Sequence, residues 1–134
     1  MANERVAEDM VADLLRKHGF YDDPDTVIVE KQQSTVEAIR SALAKAGKGG
    51  KGGRGYPEFI ITAPGTPDMV VVIECKAEVK FHESPDRNKP VEYAVDGVLH
   101  YARQLSPNYT TIAIAVSGNT KSNRWSFMLV PKGE

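Results

Sequence analysis

The stretch from residue 69 to residue 77 constrains the fold of this chain more than any other. Five apolar residues, Met-Val-Val-Val-Ile, are followed by Glu74, Cys75 and Lys76. Apolar residues on both faces of a strand are typical of a strand buried in the middle of a sheet. The run is far too short to span a bilayer. The sequence therefore predicts a central strand that ends in two charged residues.

Seven other segments have the pattern of a helix or a strand. Helices are expected over residues 4–18, 35–46 and 91–105, where apolar residues recur at helical spacing. Strands are expected over residues 26–29, 58–62, 111–116 and 125–130, the last at a sheet edge. The spacing of Ser34 and Glu37 predicts a capping box for the second helix. Together these predict one α/β domain, residues 1–134, with a mixed sheet of about five strands flanked by helices.

Charge and composition limit the partners of the chain. A formal net charge of −1 predicts weak binding of nucleic acid by the domain alone. One local exception is a glycine-rich segment, residues 47–55, that contains Lys48, Lys51 and Arg54. It is either a flexible linker or a basic loop that closes over a phosphate backbone. The single cysteine, the charged N-terminus and the lack of a long apolar run favour the cytoplasm and no membrane association.

Glu74 and Lys76 are the first candidates for chemistry. They lie two positions apart on the predicted central strand, so both side chains project from the same face of the sheet. Cys75 projects from the opposite face and is expected in the core. Charged residues rarely occur inside a central strand unless they are paired or bind a metal ion. The alternative is that the strand has reached solvent and the two residues form a surface pair.

At this strand end the sequence resembles the PD-(D/E)xK nuclease superfamily. The similarity narrows to the N-terminal endonuclease domain of type I, type I-like and type IIG restriction-modification enzymes. It is carried by residues 53–58, 73–77, 94–102 and 114–118. The resemblance implies a restriction-endonuclease-like core, an Mg²⁺-dependent DNA endonuclease activity and DNA as partner. It also implies methyltransferase, helicase or specificity domains in a larger enzyme, of which this chain would be the N-terminal piece.

Two acidic residues compete for the first position of the motif. Pro67-Asp68 is the literal match, but six steps along the strand, about 20 Å, separate Asp68 from Glu74. Two ligands of one metal ion cannot be that far apart. A hairpin centred on Thr66 instead pairs Ile60 with Val72 and brings Glu58 opposite Glu74, with Cβ atoms roughly 5 Å apart. Geometry therefore favours Glu58, although a register slip of one residue would separate it from Glu74.

The resemblance also implies roles for these residues. Glu58, Glu74 and the backbone carbonyl of Cys75 would bind Mg²⁺, which prefers such oxygen ligands, and Mn²⁺ could substitute. Lys76 would stabilise the attacking hydroxide or the pentavalent phosphate. Many relatives add a glutamate from the first helix, and Glu8 is the best match, although a solvated helix-surface acid is an equal alternative. Lys48, Lys51 and Arg54 would contact DNA, and double-strand cleavage would require a transient dimer.

Two departures from the family pattern keep other functions open. Glutamate stands at position 58 where aspartate is usual, and Gly97 stands four residues before Tyr101 where type I relatives often have glutamine. The second hypothesis is therefore a catalytically impaired module of the same fold that binds DNA or acts as a scaffold. A third is a structural α/β protein with no nucleic-acid role.

Overall fold

The strand that ends in Glu74 and Lys76 is the centre of the sheet. The structure, a computed structural model, describes residues 4–48 and 55–133. The helices are α1 (Glu4–Lys17), α2 (Glu37–Leu43) and α3 (Ala94–Leu105), with a short 3₁₀ helix at Val79–Phe81. The strands are β1 (Ile28–Glu30), β2 (Phe59–Thr62), β3 (Met69–Lys76), β4 (Thr110–Gly118) and β5 (Asn123–Val130). The predicted α/β fold and the predicted order of its elements are confirmed.

The five strands form one mixed sheet in the order β1-β2-β3-β4-β5. β3 pairs with β2 in an antiparallel hairpin and with β4 in parallel, and both outer pairs are antiparallel. The parallel pair is possible because α3 lies in the connection between β3 and β4. β5 is an edge strand, as predicted.

Helices cover both faces of the sheet, and the alternation of β3 distributes its residues between them. Val70 and Val72 pack with α2 and α3. Ile73 and Cys75 pack with α1 on the other face. Cys75 is fully buried, which confirms its expected place in the core, and burial raises the pKa of its thiol. By the same alternation Glu74 belongs to the α3 face.

The predicted capping box of α2 is wrong. The helix begins at Glu37 after Val36, and no side chain caps its first turn. Ser34 lies too far ahead, and its hydroxyl donates to the carboxylate of Glu30 at 2.6 Å. Thr35 donates to the same carboxylate through its backbone N–H and its hydroxyl. Glu30, at the end of β1, therefore organises the approach to α2.

No helix in the described part of the chain combines the length and the apolar character that crossing a bilayer requires.

Candidate metal centre

The β2–β3 hairpin brings two buried glutamates to its open end. Ile60 pairs with Val72, which confirms the predicted register. Continuing that register by two residues puts Glu58 opposite Glu74, just before β2 begins. Both side chains are buried, with 8% of Glu58 and 3% of Glu74 exposed. Asp68 lies at the other end of β3 with its side chain 77% exposed, beside Lys132.

The N-terminal turns of α1 add two more carboxylates. Glu4 and Glu8 are four residues apart, so they share one face of the helix. One carboxylate oxygen from each of Glu4, Glu8 and Glu58 lies within 4.8 Å of the others. The structure thus brings Glu8 and Glu58 together as the sequence suggested. It adds Glu4, which the sequence analysis missed although its spacing from Glu8 was a usable signal.

Glu58 is the most unusual member of this cluster. Its Oε2 atom is buried and has no hydrogen-bond partner among the described residues. Burial, followed by the nearby charges of Glu8 and Glu74, raises the pKa of Glu58 from 4.5 to about 8. A buried carboxylate oxygen without a partner is costly, and a bound cation would remove that cost.

Glu74 is the opposite case, because its carboxylate already has a cation. The ammonium of Lys48 donates to its Oε2 atom in a short contact. Burial raises the pKa of Glu74, and the Lys48 ammonium is the strongest influence in the other direction. Lys48 was predicted to contact DNA, whereas here it contacts Glu74. The other two predicted DNA contacts, Lys51 and Arg54, lie outside the described residues.

Two further lysines border the acidic cluster. Lys76 Nζ donates to the carbonyl of Val91 at 2.8 Å and lies 3.4 Å from Glu4 Oε1. Lys31, just after β1, donates to Glu8 Oε1 at 3.0 Å. Burial alone would lower the pKa of Lys31, but its hydrogen bond to Glu8 and the charge of Glu8 raise it. Lys31 was not anticipated, because only the tertiary fold brings it to α1.

The donor set suits a hard divalent cation. Glu4, Glu8 and Glu58 offer carboxylate oxygens, the ligands that Mg²⁺ and Mn²⁺ accept. The unpartnered Oε2 of Glu58 gives such an ion a buried anionic ligand. Of the predicted ligands, Glu8 and Glu58 belong to this cluster and Glu74 is held by Lys48. Cys75 pairs with Val116 in the parallel ladder, and its carbonyl as a ligand stays a prediction.

Two other features of the molecule lie apart from the carboxylates. A cavity of about 420 Å³ faces the C-terminal half of α1 and is lined by His18 and apolar side chains such as Leu14, Trp125 and Phe127.

Buried His82 bridges two strands, with Nδ1 2.7 Å from Ser117 Oγ and Nε2 2.7 Å from Ser126 Oγ. Burial lowers the pKa of His82, which suits a neutral packing residue.

Comparison with family models, with curated proteins and with solved structures found no match for this chain.

Proposed function

We propose that this chain is a metal-dependent DNA endonuclease domain that hydrolyses phosphodiester bonds. The observation that carries the proposal is the buried carboxylate of Glu58. It has an unpartnered oxygen and converges with Glu4 and Glu8 next to the Glu74-Cys75-Lys76 strand end. The sequence resemblance to restriction-modification nucleases supplies the reaction class and the substrate. In this proposal Glu58, Glu8 and Glu4 hold the ion.

The residues around the cluster have complementary tasks in this proposal. A bound Mg²⁺ would neutralise charge on the scissile phosphate and acidify a water molecule. The carbonyl of Val91 and the carboxylate of Glu4 hold the ammonium of Lys76 beside the cluster, where in this proposal it contacts a phosphate oxygen. Lys31 orients Glu8 through their hydrogen bond and balances part of the negative charge of the cluster.

Plasmid cleavage tests the proposal. The chain should nick or linearise supercoiled DNA with Mg²⁺ or Mn²⁺ but not with Ca²⁺, and both Lys76→Ala and Glu58→Gln should abolish this. Lys132→Ala is the matched control, because Lys132 lies at the opposite end of the sheet beside Asp68. Cleavage that persists in Glu58→Gln but disappears in Asp68→Ala would move the site to the other end of the hairpin.

A second function is favoured by one specific observation. Glu74, the acid of the Glu-x-Lys motif, is already neutralised by Lys48. A catalytically impaired module that binds DNA or acts as a scaffold would have the same structure and would retain DNA without cutting it. A gel shift of linear DNA in Mg²⁺, with no cleavage at any metal concentration, would select this second function.

Partners follow from the chemistry of double-strand cleavage. One phosphodiester site cuts one strand, so cutting both requires a second copy or a second binding event. The resemblance suggests that methyltransferase, helicase or specificity domains of a larger enzyme provide most of the DNA affinity. We therefore expect a transient dimer on DNA, detectable by crosslinking only when DNA and metal are both present.

A further inference from the structure

The open end of the hairpin holds two buried anionic side chains. The paired register ends at Phe59 and Ile73, and Glu58 and Glu74 are the next residues beyond that pair. A buried carboxylate is stable only with a partner that offsets its lost hydration. Glu74 has such a partner in Lys48, and the Oε2 atom of Glu58 has none in the described part of the chain. The two positions therefore differ in how their charge is balanced.

The ammonium of Lys48 lies against α3, beside Gly97. A Cβ atom on Gly97 would lie 3.2 Å from Lys48 Nζ and 3.1 Å from the Oε2 atom of Glu74, so the absence of a side chain there makes room for the pair. The ring of Tyr101 lies on another side, with its centroid 5.2 Å from Nζ. The preceding carbonyl, that of Gly47, is 3.2 Å from His100 Nε2.

From this arrangement we infer that the ammonium of Lys48 fills the second cation position of the site. The chain then binds one divalent ion, through Glu58, Glu8 and Glu4, and Glu74 is not a metal ligand. This inference rests on the metal site of the proposed function. It differs from the ligand set that the sequence suggested, in which Glu74 bound the ion directly.

The physical reason is charge repulsion at short range. Two cations held on neighbouring carboxylates in a partly dry site repel each other strongly unless anions separate them. The Lys48 ammonium already contacts Glu74 and Tyr101. A second divalent ion could bind Glu74 only by displacing this ammonium. An ordinary structural ion pair would have no influence on how many metal ions the chain holds, and this difference can be measured.

Counting bound Mn²⁺ tests the inference on the full chain. Titrations followed by electron paramagnetic resonance should run above the pKa of Glu58, about 8, so that its carboxyl is ionised. The wild type should bind one ion and Glu58→Gln none. Lys48→Met should bind two, because Glu74 becomes available, whereas the exposed neighbour Lys45→Met should still bind one.

A double variant keeps the inference falsifiable if Lys48→Met alone does not fold. Lys48→Met combined with Glu74→Gln leaves no unpaired buried charge at this position. It should bind one Mn²⁺ with a dissociation constant within about threefold of wild type, since Glu74 is not a ligand. A loss of more than about tenfold, the effect expected of a lost ligand, would overturn the inference, as would two ions in the wild type. If the wild type binds none, the proposed metal site itself is wrong.

Discussion

Glu58 links the stability of this protein to pH. Its folded-state pKa is about 8, against 4.5 for an ordinary glutamate. Between these values the unfolded chain releases a proton that the folded chain retains, so stability falls as pH rises, by up to about 1.4 kcal/mol per pH unit. Below this window both states are protonated, and above it both are ionised.

Urea unfolding in the absence of metal should reveal that slope, and Glu58→Gln should flatten it. Saturating Mg²⁺ should also flatten it, because the ion binds the ionised carboxylate and lowers its pKa. Asp68→Asn, a change at an exposed site, should leave the slope as in wild type. Identical pH profiles for wild type and Glu58→Gln would show that the Glu58 carboxyl is not perturbed.

Replacing Gly97 with alanine should destabilise the protein, although the same change usually stabilises a helix. Alanine is favoured over glycine by about 1 kcal/mol inside a helix. At Gly97, however, the new Cβ would lie 2.9 Å from the carbonyl oxygen of Pro90 and would crowd the Lys48–Glu74 pair. We expect Gly97→Ala to lower the free energy of unfolding by about 1–3 kcal/mol in chemical denaturation.

Gly65 provides the matched control for that experiment. A Cβ there would meet no atom within 4 Å. Gly65→Ala should therefore change stability by less than about 0.5 kcal/mol. A Gly97→Ala protein more stable than wild type would mean that α3 and Lys48 are not packed as closely as described.

Some site residues could be predicted from sequence and others could not, for a definable reason. Glu58 and Glu74 follow from the two-residue period of strands and the length of the hairpin, which together set the register. Lys48 and Lys31 reach the site only through the tertiary approach of the segments after α2 and β1, and no local pattern encodes that approach. Local periodicity therefore predicts which residues share a face of a strand or helix. It does not predict which charged residue from a distant segment contacts them.

At the scale of elements, the start of α3 depends on one buried carboxylate. Asp96, in the first turn, accepts hydrogen bonds from the backbone N–H groups of Ser84 and Lys89 and from the hydroxyl of Ser84. Burial alone would raise its pKa, but these hydrogen bonds lower it. The stability that it contributes is thus present at neutral pH and is lost as pH falls through its lowered pKa.

Asp96→Asn should lower the free energy of unfolding by about 2–3 kcal/mol, since it removes a charged acceptor from buried donors. Asp86→Asn, at an exposed position of the same loop, is the control and should change stability by less than about 0.5 kcal/mol. The loss at Asp96 should shrink toward acid pH in unfolding experiments. A loss that is independent of pH would indicate a steric effect instead.

The elements themselves were more predictable than their ends. The apolar pattern sufficed for the three α-helices and the five strands, because burial on one or two faces creates it, but it did not predict the short 3₁₀ helix at Val79–Phe81. Their ends depend on polar contacts that periodicity does not contain. The carboxylate of Glu30 accepts hydrogen bonds from Ser34 and Thr35. As a result, α2 begins at Glu37 and the capping box does not form.

At the scale of the whole molecule, charge should limit how well this chain holds DNA by itself. The formal net charge is −1, and the lysines at the site each contact a carboxylate: Lys31, Lys48 and Lys76. Such a surface makes few phosphate contacts, and each contact releases about 0.9 counterion from duplex DNA. We therefore expect a dissociation constant in or above the nonspecific range, about 10⁻⁶ to 10⁻⁴ M, at physiological salt.

Fluorescence anisotropy over a range of salt concentrations tests this expectation. The slope of log K against log salt concentration should be no steeper than about −3, and Lys51→Ala and Arg54→Ala should each reduce it by about 1 if both residues contact phosphates. Lys132→Ala, at the far end of the sheet, should leave it unchanged. Nanomolar affinity with a steep slope would contradict the expectation, because the domain would then hold DNA tightly without help from another protein.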